Sequence, residues 1–161
     1  MSYSRIICLV RGDDTDSDVV ETAVDLSSGN SRSVRFVHVI VVDYRHPLDL
    51  TDSARYAQAE RILRDAENIS GLRNEARGAI LQARSIGPIL VREALDFGAE
   101  AIVLSAKIIS MIDSKNLDPD SEYLMTSAPC AVVLVRQAQT DFEAMQDHPD
   151  MHVEAGVVSG R

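Results

Sequence analysis

With 161 residues and 45% hydrophobic side chains, the chain is long enough for one domain with a sizeable core and too apolar to be disordered by composition. Its formal charge of −9 argues against a nucleic-acid binder, which needs a basic face, and against a polybasic membrane patch. No apolar run approaches the length that crosses a bilayer, so direct membrane insertion is not expected. The acidity fits a cytoplasmic protein, or one from a salty cytoplasm. The opening Met1-Ser-Tyr-Ser-Arg-Ile-Ile7 enters a strand pattern at once and is expected to leave no room for a signal peptide. Cys8 and Cys130 each lie in or beside an apolar run and read as two buried reduced thiols.

Taken in order, Arg5-Ile-Ile-Cys-Leu-Val-Arg11 is a continuous apolar run, the mark of a buried strand. Gly12-Asp13-Asp14 is a turn, and Asp14, Thr15 or Asp16 is placed to cap the helix that follows, with acids at its positive end. Val19, Val20, Ala23, Val24 and Leu26 share one face of that helix, and Gly29-Asn30 is expected to end it with a left-handed cap. A second strand is predicted over Ser33 to Asp43. After the His46-Pro47 loop, Thr51 or Asp52 caps a long helix with Ala54, Ala59, Ile62, Leu63, Ala66 and Ile69 on its apolar side and a stop at Gly71. A third strand is centred on Ala79-Ile-Leu81. Pro88 lies in the first turn of the next helix, where its missing N–H costs nothing. The buried stripe of that helix reads as Ile89, Leu90, Ala94, Leu95 and Phe97, with Gly98 as its stop.

The stretch Ala99 to Arg136 holds a short apolar strand (Ala101 to Ala106), a polar loop, a short helix over Asp120 to Thr126 and a last strand over Ala131 to Val135. In the loop, Ile108, Ile109, Met111 and Ile112 form an apolar cluster expected to pack on the core, with plugging the crevice or contacting a partner as alternatives. The alternation βαβαβαβαβ specifies an α/β fold: a five-stranded open parallel sheet with helices on both faces, a three-layer Rossmann-like sandwich. Domain organisation is expected to be one domain over residues 1–136 and an acidic C-terminal tail over 137–161. The tail carries Asp141, Glu143, Asp147, Asp150 and Glu154 without a strong period. His148 and His152 stand four apart, a metal-holding spacing on a helix, but Pro149 between them favours a solvated tail.

In such a sheet, ligands bind in the crevice beyond the carboxyl ends of the strands. Arg11, Asp13, Val41, Ser105 and Lys107 are the candidate ligand-binding residues there. Two cations at that place suit an anion, such as a cyclic nucleotide or a partner's carboxylate. The simpler reading is preferred: Arg11 and Lys107 pair with Asp13, Asp113 or Asp118 and close an empty crevice. No Gly-x-Ser-x-Gly elbow, metal-ligand cluster or phosphate loop is present, so neither catalytic residues, nor a metal, nor an enzymatic activity is expected.

Several segments together resemble the universal stress protein (Usp) family over residues 5–136. They are Ile6-Ile-Cys-Leu-Val10, Val37-His-Val-Ile40, Ser85-Ile-Gly-Pro-Ile-Leu-Val-Arg-Glu-Ala94, Phe97-Gly-Ala-Glu-Ala-Ile-Val-Leu104 and, most specifically, Glu122-Tyr-Leu with Ala128-Pro-Cys-Ala-Val-Val-Leu-Val-Arg136. The resemblance implies the adenine nucleotide alpha hydrolase-like version of the three-layer sandwich. It gives the matching His38 no catalytic role. ATP-binding members carry a segment resembling Gly-x2-Gly-x9-Gly-Ser/Thr after strand four, where glycines let the backbone approach phosphates. Aligned to that segment, this chain has Ser105, Ile108, Asp118 and Pro119, and the family's acidic residue at the end of strand one falls on Arg11. The resemblance is therefore to a branch without ordinary ATP binding.

The expected role is a homodimeric, cytoplasmic stress or regulatory protein with no cofactor. Its dimer edge would be Ala131, Val132, Val133, Leu134 and Val135, because family dimers resemble a pairing through the last strand. Two alternatives stand beside it. One is a sensor of a non-ATP nucleotide of the cyclic or AMP type. The other is a regulatory subunit that docks on a transporter or enzyme through loop 107–118 or the tail.

Overall fold

A computed structural model describes residues 2–29, 31–111 and 114–137. Ile112, Asp113, Asn30 and nearly all of the expected tail, with its acids and the His148/His152 pair, lie outside the described residues. The elements in chain order are β1 (Arg5–Leu9), α1 (Asp16–Leu26), β2 (Ser33–Val41), α2 (Ser53–Ser70), β3 (Ala76–Ala83), α3 (Ile86–Phe97), β4 (Ala101–Ser105), β5 (Ile108–Met111), β6 (Ser114–Leu117), α4 (Pro119–Ser127) and β7 (Ala131–Val135). Five of the strands form one parallel sheet in the order β3-β2-β1-β4-β7. This is the α/β architecture that the βα alternation dictates. The chain winds outward from β1 to β3, then restarts at β4 on the other side of β1. That reversal opens a crevice between the carboxyl ends of β1 and β4.

The period of two along each strand divides the core. Ile6, Cys8, Val10, Val34, Phe36 and Val103 face α1 and α2, which return Val19, Val20, Ala23, Leu63 and Ala66. Ile7, Leu9, Val37, Ile102 and Leu104 face α3 and α4, which return Leu90, Ala94 and Leu124. Both faces of β1 and β4 are buried, so these strands read as unbroken apolar runs. Each fully buried Leu, Ile or Val contributes on the order of 2 kcal/mol to folding.

Helix ends follow local chemistry. Asp52 caps α2 by accepting from the N–H groups of Ala54 and Arg55, at 3.1 and 3.2 Å. Gly71 and Gly98 stop α2 and α3 with φ of +64° and +66°.

Several expectations are corrected. α1 ends at Leu26 with Ser27 extended, not at Gly29; the Ser27 N–H satisfies the carbonyls of Ala23 and Val24, so no left-handed residue is needed. Leu95 is 63% exposed and leaves the buried stripe of α3, and Ala54 and Ile69 leave that of α2. β2 stops at Val41 and β3 runs longer than its apolar centre, pairing with β2 up to Val41↔Ala83. Cys8 is fully buried, whereas Cys130 is only half-buried; both are free. The stretch between β4 and α4 is an antiparallel hairpin, β5 with β6, rather than a loop. Ile108 and Ile109 are exposed on it and do not pack on the core. Backbone pairing within the hairpin satisfies the polar main chain without drawing these side chains inward.

Candidate functional site

The crevice is built from three turns at the carboxyl end of the sheet. β1 hands over to the first of them through Val10, whose N–H donates to Val37 O at 2.9 Å. Gly12 follows with φ +84°, and a Cβ there would lie 2.5 Å from Ile62 Cδ1. The positive φ is what favours glycine, since the end of the Ile62 side chain could shift. The Asp16 carboxylate then ties the turn to the start of α1, accepting from the N–H of Arg11 at 2.8 Å and of Gly12 at 2.7 Å. Burial pushes the Asp16 carboxyl above its ordinary value, and these two donors only partly offset it.

Two ion pairs cross the crevice. Lys107 Nζ lies 3.1 Å from Asp13 Oδ2, while Asp13 Oδ1 accepts from Thr15 Oγ1 at 2.5 Å and Thr15 N at 3.1 Å. Arg11 Nη2 lies 3.9 Å from Asp118 Oδ1. Asp118 caps α4. Its Oδ1 accepts from Ser121 N at 3.2 Å, and its Oδ2 accepts from Ser121 Oγ at 2.6 Å and Lys107 N at 3.3 Å. Burial opposes the charge on Asp118, but the Ser121 donors, the Arg11 guanidinium and the Lys107 N–H outweigh it and hold the carboxyl below the usual range. Asp13 is held low in the same way: the Thr15 and Lys107 donors overcome its burial.

A cavity of about 200 Å³ opens beside these pairs, lined by Arg11, Asp13, His38, Val39, Ile86 and Lys107 among others. His38 Nδ1 is 2.9 Å from Val10 O. A carbonyl only accepts, so Nδ1 is the donor in this contact. Arg11 Nε and Nη2 and Ser105 Oγ are buried without a hydrogen-bond partner among the described residues. Among the described residues, no group of three His, Cys, Asp or Glu side chains is placed to hold a metal.

Of the five crevice residues singled out in the sequence, Arg11, Asp13 and Lys107 meet at one cavity. Ser105 is buried at the end of β4, outside that cavity's lining. Val41 does not join them: it is 39% exposed at the end of β2, and its carbonyl accepts from Arg55 Nη2 at 2.8 Å. The sequence reading did not single out Asp16 as the clamp of the first turn or Ser121 as the partner of Asp118. The second had a signal: Asp118-Pro119 followed by Ser121 is an N-cap with proline at the first helical position.

The universal stress protein family model matches residues 2–136. Among solved structures, the chain is similar to universal stress protein UspA from Lactobacillus plantarum, with TM-score 0.65, 15% identity, 84% of this chain and 99% of that one covered. It is also similar to the universal stress protein from Archaeoglobus fulgidus in complex with dAMP, with TM-score 0.60, 21% identity and coverage of 83% and 98%. A universal stress protein family protein from Arabidopsis thaliana with AMP bound matches with TM-score 0.55, 14% identity and coverage of 86% and 97%. No curated protein matched the chain. No helix among the described residues is long and apolar enough to cross a membrane. With a family match that spans residues 2–136 and a fold similar to that of these structures, the chain belongs to the universal stress protein family.

Proposed function

We propose that this chain is a regulatory, non-enzymatic member of its family, homodimeric and cytoplasmic, whose crevice does not take ATP in the usual way. One observation carries the reading. The N-terminus of α4 is where backbone N–H groups and the helix dipole would receive a phosphate. There, the carboxylate of Asp118 already accepts from Ser121 N and Lys107 N and faces the Arg11 guanidinium. The chain supplies its own anion at the anion position. A triphosphate arriving there would meet Asp118 and Asp13, both held ionised, and would have to displace a side chain that caps its own helix. The division into a domain over 1–136 and a separate acidic tail belongs to the same reading.

Thermal unfolding with Mg-ATP tests it. Millimolar Mg-ATP is expected to leave the midpoint of the wild-type chain unchanged, because a ligand stabilises only in proportion to its occupancy. A rise that saturates with ATP overturns the reading. Two alternatives have an observation in their favour. Similar structures hold dAMP or AMP, which supports a mononucleotide in the Arg11–Lys107 crevice; a shift with AMP or cyclic AMP but not with ATP would select it. The exposed Ile108 and Ile109 support docking on a transporter or enzyme through the β5–β6 hairpin.

A further inference from the structure

β3 is an edge strand, bonded to β2 on one side. Val34 N donates to Glu75 O at 2.7 Å and Val42 N to Ala83 O at 2.9 Å, so the odd-numbered residues of this stretch face β2. By the alternation of a strand, Ala76, Gly78, Ile80 and Gln82 turn their N–H and C=O groups outward. Gln82, whose Nε2 donates to Leu50 O at 2.9 Å, blunts this edge at its carboxyl end. Gly78 and Ile80 lie before that contact, and their outward groups have no hydrogen-bond partner among the described residues.

A groove of about 430 Å³ runs along the same stretch, between β3 and α2. Gly78 and Ile80 form its strand side, and Glu60, Leu63, Arg64 and Glu67 belong to its helix side. Gly78 puts no side chain into it, and Glu67 Oε1 lies 3.2 Å from where a Cβ on Gly78 would stand. Glu60, Arg64 and Glu67 follow one another at i, i+4 and i+7 of α2, so the charges along the groove alternate minus, plus, minus. None of these three side chains makes an ion pair or a hydrogen bond among the described residues.

We propose that this edge takes up an extended peptide segment of a partner protein, added to β3 as a further strand, with basic, acidic and basic side chains at alternate positions facing Glu67, Arg64 and Glu60. Alternate residues of such a segment stand about 6.7 Å apart, so three of them span about 13 Å. Glu60 to Glu67 covers about 10 Å of helix, a difference that the flexible stems of lysine absorb. Main-chain bonds to Gly78 and Ile80 supply the affinity, and the three charges select the sequence. The charge pattern reads the same in both directions, so it fixes register and leaves strand direction open. Opposite charges meet throughout, so added salt weakens the contact. This inference is independent of what the nucleotide crevice holds.

Backbone amide exchange of the full chain, followed by NMR, tests it with the peptide acetyl-Thr-Lys-Val-Glu-Val-Lys-Thr-amide as probe. The outward amides of Gly78 and Ile80 should exchange fast in the free chain and roughly tenfold more slowly with the probe at millimolar concentration. Those of Arg77 and Ala79, already bonded to β2, should keep their rates. Of two N-methylated copies of the probe, one blocked at its charged residues and one at its valines, only one should bind, because every second N–H of an added strand faces its neighbour. The triple variant Glu60→Lys/Arg64→Glu/Glu67→Lys should bind the probe about tenfold more weakly and prefer a copy with Glu-Val-Lys-Val-Glu at its centre. Glu60 and Arg64 are exposed and Glu67 is half-buried, so the variant should keep its far-UV circular dichroism. Gly78 and Ile80 amides that ignore the probe overturn the proposal. So does equal binding of the two N-methylated copies, or a triple variant that still prefers the original probe. Slow exchange of those amides in the free chain overturns it as well: protection that fades on dilution would put a second copy on this edge, and protection that persists would put another segment of the same chain there.

Discussion

At the residue scale, Asp118 does the work of a bound anion. It caps α4 through Ser121 N, takes the Ser121 hydroxyl and the Lys107 N–H, and offsets the charge of Arg11, whose Nε and Nη2 have no hydrogen-bond partner among the described residues. Asp118→Ala removes all of these at once and should cost about 2 kcal/mol or more in urea unfolding. Asp118→Asn keeps one capping oxygen but loses the charge and the second acceptor, so its loss should still be smaller than that of Asp118→Ala. The pH dependence separates the two parts. Asp118 has a folded value below the roughly 3.9 of an unfolded Asp, so its charge stabilises the fold fully above that value. This contribution drains away as pH falls through the folded value. Asp13 adds a term of the same sign. Asp16, raised by burial, has the opposite sign: its cost is full above its raised folded value and disappears as the solution is acidified below the unfolded one. The stability gap between wild type and Asp118→Asn should therefore close in acid. A gap that stays constant down to about pH 2, well below the unfolded carboxyl range, would show that the Asp118 charge is not what Arg11 and α4 respond to.

At the element scale, α3 and α4 meet at a glycine. A Cβ on Gly87 would stand 2.7 Å from Tyr123 Cδ1 and 3.1 Å from Tyr123 Cβ, and Gly87 N donates to Asp120 Oδ1 at 3.0 Å. The ring could swing aside, since Tyr123 is 40% exposed, but its Cβ is fixed to the helix. Gly87→Ala should therefore push the helices apart and cost about 1–3 kcal/mol, despite alanine's better helix propensity. A lower urea midpoint with an unchanged slope would show it; a raised midpoint would mean that α4 yields freely.

Elements with strong local signals were legible from the chain alone. The Asp52 cap, the stops at Gly71 and Gly98, and the two-sided apolar runs of β1 and β4 are each fixed by near neighbours in sequence. The hairpin was not legible, because β5 and β6 show no alternation and no Asn-Gly or Asp-Gly turn joins them. In the crevice, Arg11, Asp13 and Lys107 could be placed because strand ends converge at the reversal of the sheet. Val41 could not be excluded, since which way a side chain turns at the last residue of a strand depends on the loop beyond it. Asp118 was read as the loss of a glycine, yet its sequence context, Asp-Pro before a short helix, describes what it does instead.

For the whole molecule, the open question is how the sheet ends. One edge, β3, carries Arg77 and Gln82, and Gln82 Nε2 donates to Leu50 O, so a polar side chain and a loop blunt it. The other edge, β7, is Ala131-Val-Val-Leu-Val135, apolar throughout and half-buried along its length. Its inner side is taken: Ala131 N donates to Glu100 O at 3.2 Å, and Val135 O accepts from Ala106 N at 2.8 Å. By the alternation of a strand, the N–H groups of Val132 and Leu134 point outward. An apolar edge whose donors have no partner among the described residues is a template for a second strand, and a twofold pairing of β7 with its own copy would cover both edges at once. Light scattering should then give twice the mass of one chain. Val132→Pro deletes an outward donor without touching the bonds to β4, and should return the mass to that of one chain with the far-UV circular dichroism retained. A wild-type mass of a single chain would leave the β7 edge uncovered in solution. A Val132→Pro chain that stays double would move the contact to another face, with the exposed Ile108 and Ile109 of the hairpin the next apolar surface to probe.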